Sequence, residues 1–171
     1  MKLLIVVDMQ NDFLHPDGNI YGGHQCRDII PFVRDQIMDY RRNNDIIILS
    51  ADTHTENDKQ FRIWSPHCVY KSWGWELIDE IKDVATGCTI IKKSKFSAFY
   101  KTKLDSIVDV EDTEVQVTGV FTSMCVSHTV ADLYNRDAVI TIPRAGVADA
   151  DPEAHAQALK YFENIYKAKV V

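Results

Sequence analysis

Six short apolar runs, spaced along the chain with helical stretches between them, constrain this sequence more than any other feature. They cover 3–7, 45–50, 88–93, 114–120, 138–142 and 166–171. Leu3-Leu4-Ile5-Val6-Val7 is typical: apolar throughout and partly β-branched, as a strand buried on both faces requires. Between the runs, 28–42 carries Ile29, Ile30, Val33, Ile37 and Tyr40 at helical spacing. The segment 123–136 places Val126, Val130, Leu133 and Tyr134 on one face. Residues 152–164 open with Pro152, which a first helical turn accepts because its N–H would be unpaired there. Shorter helices are expected at 75–84 and 102–108. Strands alternating with helices over short connections specify an α/β fold, a three-layer α/β/α arrangement around a mostly parallel, roughly six-stranded sheet of Rossmann-like topology. With 171 residues, the whole chain, 1–171, is expected to form a single domain.

Composition removes several classes of function. The formal charge is −6, from 19 basic and 25 acidic residues, and no run of five Lys or Arg occurs. A nucleic-acid footprint is therefore not expected. No apolar run approaches the roughly 18 residues of a membrane span, so no membrane partner is expected. The apolar start is too short for a signal peptide and lacks a small-residue cleavage site. A cytoplasmic location with reduced thiols is the expectation. Cys26, Cys68, Cys88 and Cys125 show no C-x-x-C pair, which disfavours a zinc ribbon or a thioredoxin-like motif. Nor does a G-x-G-x-x-G or a P-loop follow the first strand, leaving a phosphate-binding module without support.

In open parallel sheets, ligands bind beyond the carboxyl ends of the strands. Those ends carry Asp8, Asp52 with His54, Lys93, and the 119–125 turn with Cys125. All are capable of chemistry. Cys125 falls near the start of the 123–136 helix, where partial positive charge favours thiolate and free N–H groups can hold an oxyanion. Asp8 is placed to accept its proton, with His128 as the rival base three residues along the helix. A lysine beside the thiol would favour its ionised form; Lys92, Lys93 and Lys95 compete for that place. Asp52 and His54, two residues apart, project to one side of an extended segment. With His67 they offer one carboxylate and two imidazoles, a set suited to zinc, iron(II) or manganese with positions left open.

Taken together, these segments resemble the isochorismatase-like cysteine hydrolases, and among them the nicotinamidases. Val6-Val7-Asp8-Met9-Gln10-Asn11-Asp12-Phe13 is similar to the opening strand of that family with its catalytic Asp. Ser50-Ala51-Asp52-Thr53-His54 is similar to its metal-binding Asp-x-His segment. Trp64-Ser65-Pro66-His67-Cys68-Val69 resembles a Trp-Pro-x-His-Cys-Val stretch, with Ser-Pro in place of Pro-x. Lys93-Ser94-Lys95-Phe96-Ser97-Ala98-Phe99 matches a Lys-x-x-x-Ser-Ala-Phe register that selects Lys93. Gly119-Val120-Phe121-Thr122-Ser123-Met124-Cys125-Val126 resembles the nucleophile turn.

The resemblance implies a catalytic triad of Asp8, Lys93 and Cys125. It also implies a cis peptide between Val120 and Phe121, with the backbone N–H groups of Phe121 and Cys125 forming the oxyanion hole. A divalent metal, Zn2+ with Mn2+ or Fe2+ as alternatives, is implied on Asp52, His54 and His67. Phe13 and Trp64 are implied to flank the ring of a small-molecule amide. The implied activity is hydrolysis of a linear amide C–N bond, nicotinamide to nicotinate and ammonia in NAD salvage, by a homo-oligomer. Another small amide, carbamoyl or ureido compound is the alternative substrate. Two departures stand out: the chain is short for a nicotinamidase, and His54 and His67 are closer in sequence than in several relatives. Glu56, Asp58 and Gln60 are open candidates for a further metal ligand.

Overall fold

The computed structural model describes residues 2–171. In chain order the elements are β1 (Leu3–Val7), α1 (Asn11–Leu14), α2 (His24–Arg27), α3 (Ile30–Arg42), β2 (Ile46–Asp52), α4 (Asp79–Lys82), β3 (Thr89–Lys93), α5 (Leu104–Ile107) and β4 (Glu114–Val120). They continue with α6 (Ser127–Tyr134), β5 (Val139–Ile142), β6 (Val147–Ala148), α7 (Pro152–Asn164) and β7 (Lys169–Val170). The strands form one sheet in the order β3-β2-β1-β4-β5-β7, with β6 paired to the end of β4. Every pairing is parallel.

Side-chain alternation along β1 divides the core into two layers. Leu3, Ile5 and Val7 pack with Val130 and Leu133 of α6 and with Leu159 and Phe162 of α7. Leu4 and Val6 point the other way, onto Ile30, Val33 and Ile37 of α3 and Ile81 of α4. Both faces are thus covered, which is why the strands read as continuous apolar runs. At α7 the cap is explicit: Asp151 accepts from the N–H groups of Glu153 (2.8 Å) and Ala154 (3.4 Å), immediately before Pro152.

The six expected strands are all present, and a two-residue seventh, β6, pairs beside the carboxyl end of β4 through Gly119↔Val147 and Val120↔Ala148. Two expectations need correction. Only Asp79–Lys82 of the expected 75–84 helix is helical. The stretch before it is held by the chain leaving β1: Asn11 N–H donates to Glu76 O, Ile78 N–H donates to Met9 O, and Gln10 bridges Leu77. The expected 123–136 helix opens with a π-helical turn over Thr122–Val126, in which the Val126 N–H reaches back to Phe121 O at 3.2 Å. Among the described residues no helix is long and apolar enough to cross a membrane.

Candidate active site

The order of strands reverses at β1, which has β2 on one side and β4 on the other. The carboxyl ends of these strands open into one crevice, the place such a sheet offers a ligand. Register then decides which side chains meet. Val7 lies opposite Ser50 on β2 and Gly119 on β4. Asp52 lies opposite Lys93 on β3. The residue after Val7 is Asp8, which turns out of the strand with φ +52°, a left-handed conformation uncommon for any residue but glycine.

Asp8, Lys93 and Cys125 come together there, all buried. Lys93 Nζ lies 2.7 Å from Asp8 Oδ2, 3.3 Å from Asp52 Oδ1 and 3.4 Å from Cys125 Sγ. Asp8 Oδ1 accepts from the Ser50 hydroxyl at 2.6 Å. Asp8 Oδ2 lies against the Lys93 ammonium and has no other partner. Burial pushes the Asp8 carboxyl up, against the lowering pull of Lys93. Burial also drives the Cys125 thiol well above its ordinary value, although Lys93 opposes it. For Lys93, burial lowers the pKa but Asp8, Cys125 and Asp52 more than reverse it, and the ammonium stays charged. The raised carboxyl is a better base than one in water, and it lies beside a thiol that burial also pushes up.

Asp52, His54 and His67 form the neighbouring cluster, also buried, with ligand atoms within 4.8 Å of one another. Nε2 of His54 is 2.9 Å, and Nε2 of His67 3.3 Å, from Asp52 Oδ2. The far side of each ring is occupied: His54 Nδ1 lies 3.0 Å from Asp58 Oδ2, and His67 Nδ1 2.7 Å from Ser65 O. With Asp58 at Nδ1 of His54 and Ser65 O at Nδ1 of His67, both Nε2 atoms are turned toward the same carboxylate oxygen. Burial lowers the pKa of His54, but Asp52 and Asp58 carry it up. Burial raises that of Asp52, but Lys93 and the two histidines carry it down. The donor set and the anchored Nδ1 atoms fit a divalent metal.

Of the further ligand candidates, Asp58 is not part of the cluster; it orients His54 from behind, with its own Oδ1 accepting from the Gln60 N–H at 2.8 Å. Glu56 is exposed and outside the cluster. Gln60 lines the cleft instead. That cleft is walled by Phe13, Ile20, Trp64, Phe96, Phe121 and Met124, and reaches Asp52, His67 and Cys125 at its floor. Phe13 packs against His67 (centroids 5.7 Å apart) and edge-on to Phe121 (5.4 Å). The Val120–Phe121 peptide is cis. His128 is set apart from the triad: its Nδ1 is 2.8 Å from Met124 O and its ring packs on Phe96.

Several participants escaped the sequence reading. Ser50 holds Asp8. Gln10 ties the ends of β1 and β2, its amide donating to Asp52 O and Trp75 O (both 2.8 Å) and accepting from the Asp52 N–H (2.7 Å). Phe61 packs edge-on to both His54 and His67. Asp149 accepts from the N–H and hydroxyl of Ser123, both at 2.7 Å, bracing the turn that carries Cys125. Register was the one usable signal: a residue opposite Val7 on β2 lies beside Asp8.

Comparison with known proteins gives a consistent result. The isochorismatase domain matches residues 2–170. The structure superimposes on nicotinamidase/pyrazinamidase PncA from Bacillus subtilis with a TM-score of 0.94 and 27% identity, covering 100% of both chains. It superimposes on the pyrazinamidase of Pyrococcus horikoshii, solved in complex with zinc, with a TM-score of 0.86 and 29% identity, covering 99% of this chain and 98% of that one. N-carbamoylsarcosine amidase from Thermoplasma acidophilum gives a TM-score of 0.86 at 32% identity, covering 99% of this chain and 95% of that one.

Proposed function

The chain belongs to the isochorismatase family of hydrolases, and from that premise we propose that it is a nicotinamidase, converting nicotinamide and water to nicotinate and ammonia. The observation that carries the reading is the contact of Cys125 Sγ with Lys93 Nζ at 3.4 Å, itself 2.7 Å from Asp8, at the floor of an aromatic cleft that also reaches Asp52 and His67. A nucleophile, a base and an aromatic-walled cleft are thereby adjacent.

In this reading Asp8 takes the thiol proton through Oδ2, and Lys93 stabilises the sulfur anion as it forms. The thiolate attacks the carboxamide carbon. The carbonyl oxygen becomes an oxyanion, held by the backbone N–H groups of Phe121 and Cys125; losing one such donor typically costs about 2.7–4 kcal/mol of transition-state stabilisation. As the C–N bond breaks, Asp8 passes its proton to the departing nitrogen, which leaves as ammonia. Water then attacks the thioester and gives a proton to Asp8. The C–S bond breaks, the proton on Asp8 returns to Cys125, and the nicotinic acid released gives its own proton to ammonia, leaving nicotinate and ammonium. Phe13 and Trp64 flank the ring. Asp52, His54 and His67 would hold a divalent metal, zinc in this reading, whose chemistry when bound is that of a Lewis acid toward a ring nitrogen. The product would re-enter pyridine-nucleotide synthesis.

A second reading keeps the machinery and changes the amide. It is favoured by the 32% identity to N-carbamoylsarcosine amidase. Gln60, Trp64 and Phe96 of the cleft also border a separate open groove of about 730 Å³ that Lys95 and Tyr100 line, so a longer amide would meet that groove on its way to the cleft.

The test is ammonia release from nicotinamide, with added zinc or manganese and with a chelator, beside Cys125→Ala. Turnover that disappears in Cys125→Ala and falls with the chelator supports the proposal. A folded, metal-loaded protein that releases no ammonia from nicotinamide refutes it and leaves the second reading.

A further inference from the structure

Asp12 is a buried carboxylate whose side-chain hydrogen bonds go to none of the residues assigned a chemical role above. Its Oδ1 accepts from the Asn19 N–H at 2.9 Å and its Oδ2 from the Cys68 N–H at 2.6 Å. Residue 74 is glycine at the point where a Cβ would lie 2.1–2.4 Å from the Asp12 carboxyl atoms, so the chain closes down on this group. Cys68 is the residue after His67, and its φ is +45°, in the left-handed region that favours glycine. Its carbonyl accepts from the His54 N–H at 3.0 Å. One residue in an unfavourable conformation thus has its N–H tied to Asp12 and its C=O tied to His54.

We propose that Asp12 is a positioning residue for the metal cluster: by holding the Cys68 N–H, it fixes the His67–Cys68 peptide and with it the direction in which His67 presents Nε2. Without that acceptor, Cys68 relaxes toward the negative φ an L-residue prefers, and the peptide that follows His67 turns with it. His67 then leaves the 3.3 Å approach to Asp52 that brings the three ligands together. Phe13, next to Asp12 on α1, packs on the His67 ring and would register the same movement. The inference rests on the reading of Asp52, His54 and His67 as a metal site, and extends it to a residue with no contact to a metal.

The variant is Asp12→Asn, which keeps the shape and replaces one acceptor oxygen with a donor NH2. Zinc affinity of the metal-stripped full chain is measured by competition with a chromophoric chelator, and the cobalt(II)-substituted protein is read by its visible absorption. The expected result is about a tenfold or greater loss of zinc affinity, the low end for groups that orient metal ligands, and a changed cobalt spectrum. Alkylation of Cys125 by iodoacetamide should proceed at the wild-type rate. The double variant Asp12→Asn/Cys68→Gly should recover most of the lost affinity, because glycine takes a positive φ without steric cost. Should Asp12→Asn prove unfolded by circular dichroism, Gly74→Ala displaces the carboxylate while keeping its charge, and its zinc affinity should fall likewise. Unchanged affinity in Asp12→Asn overturns the inference alone. A loss that Cys68→Gly leaves unrepaired also overturns it, because Asp12 would then support the fold by another route. Wild-type protein that binds neither zinc nor cobalt overturns the metal reading, and this inference with it.

Discussion

Ser50→Ala isolates the base. Ser50 is fully buried, and its hydroxyl makes the one hydrogen bond to Asp8 Oδ1, at 2.6 Å. A hydrogen bond to a charged group is worth about 1.5–3 kcal/mol, and one pKa unit corresponds to about 1.36 kcal/mol. Removing the hydroxyl weakens only the ionised form of Asp8, so its pKa rises by about one to two units on those values. Burial already holds that pKa above the ordinary carboxylate range. Asp8 must be ionised to accept the thiol proton. The acid limb of kcat/KM, which reports the base in the free enzyme, should therefore move to higher pH by the same one to two units, while the rate far above the limb changes little. The stability difference has the same sign. It is absent at low pH, where Asp8 is neutral in both proteins and in both states. It grows as pH rises through the folded pKa, and reaches about 1.5–3 kcal/mol above it. At about 2–4 °C per kcal/mol for a chain of this size, melting curves taken at two pH values should diverge by several degrees at the higher one. A folded Ser50→Ala protein whose acid limb stays in place refutes the assignment of Asp8 as the limiting base. A limb moved to lower pH refutes the electrostatic argument itself.

Asp58→Ala should weaken zinc binding by about 10- to 100-fold in a chelator competition, because His54 loses the carboxylate at its Nδ1; unchanged affinity would show that the ring is held elsewhere. Trp64→Ala removes one wall of the cleft and should raise KM for an aromatic amide by about 2- to 10-fold, matching the 0.5–1.5 kcal/mol of an aromatic pair, with kcat little altered in steady-state assays. Gly119→Ala places a Cβ 2.1 Å from Val7 O at a φ of +112°. It should cost more than about 4 kcal/mol and yield no soluble folded protein on expression, and a normally melting variant would contradict the close approach of β1 and β4.

The sheet was legible because both its faces are buried, which turns strands into unbroken apolar runs, and because strand ends in such a sheet converge. Asp8, Asp52, Lys93 and the Cys125 turn could be picked out for that reason alone. Lys93 could be separated from Lys92 and Lys95 only by resemblance, whereas in the structure it is separated by register: Lys93 lies opposite Asp52, and its ammonium is buried between that residue and Asp8. What stayed hidden has one of two causes. The helix expected at 75–84 shortens because its first residues give their hydrogen bonds to the chain leaving β1. The π-helical turn before α6 forms because Val126 reaches five residues back to Phe121. Ser50, Gln10 and Asp58 act through neighbours 42, 42 and 4 residues away. The shortened helix, Ser50 and Gln10 depend on pairings between distant segments, and the π-helical turn and Asp58 on the local path of the backbone; periodicity along one segment encodes neither. Chemistry carried by a residue at a strand end is therefore readable from one chain. The groups that support it from behind, Ser50 on Asp8 and Asp58 on His54, become visible only once register has set β2 beside β1 and the loop after Asp52 has folded back over His54.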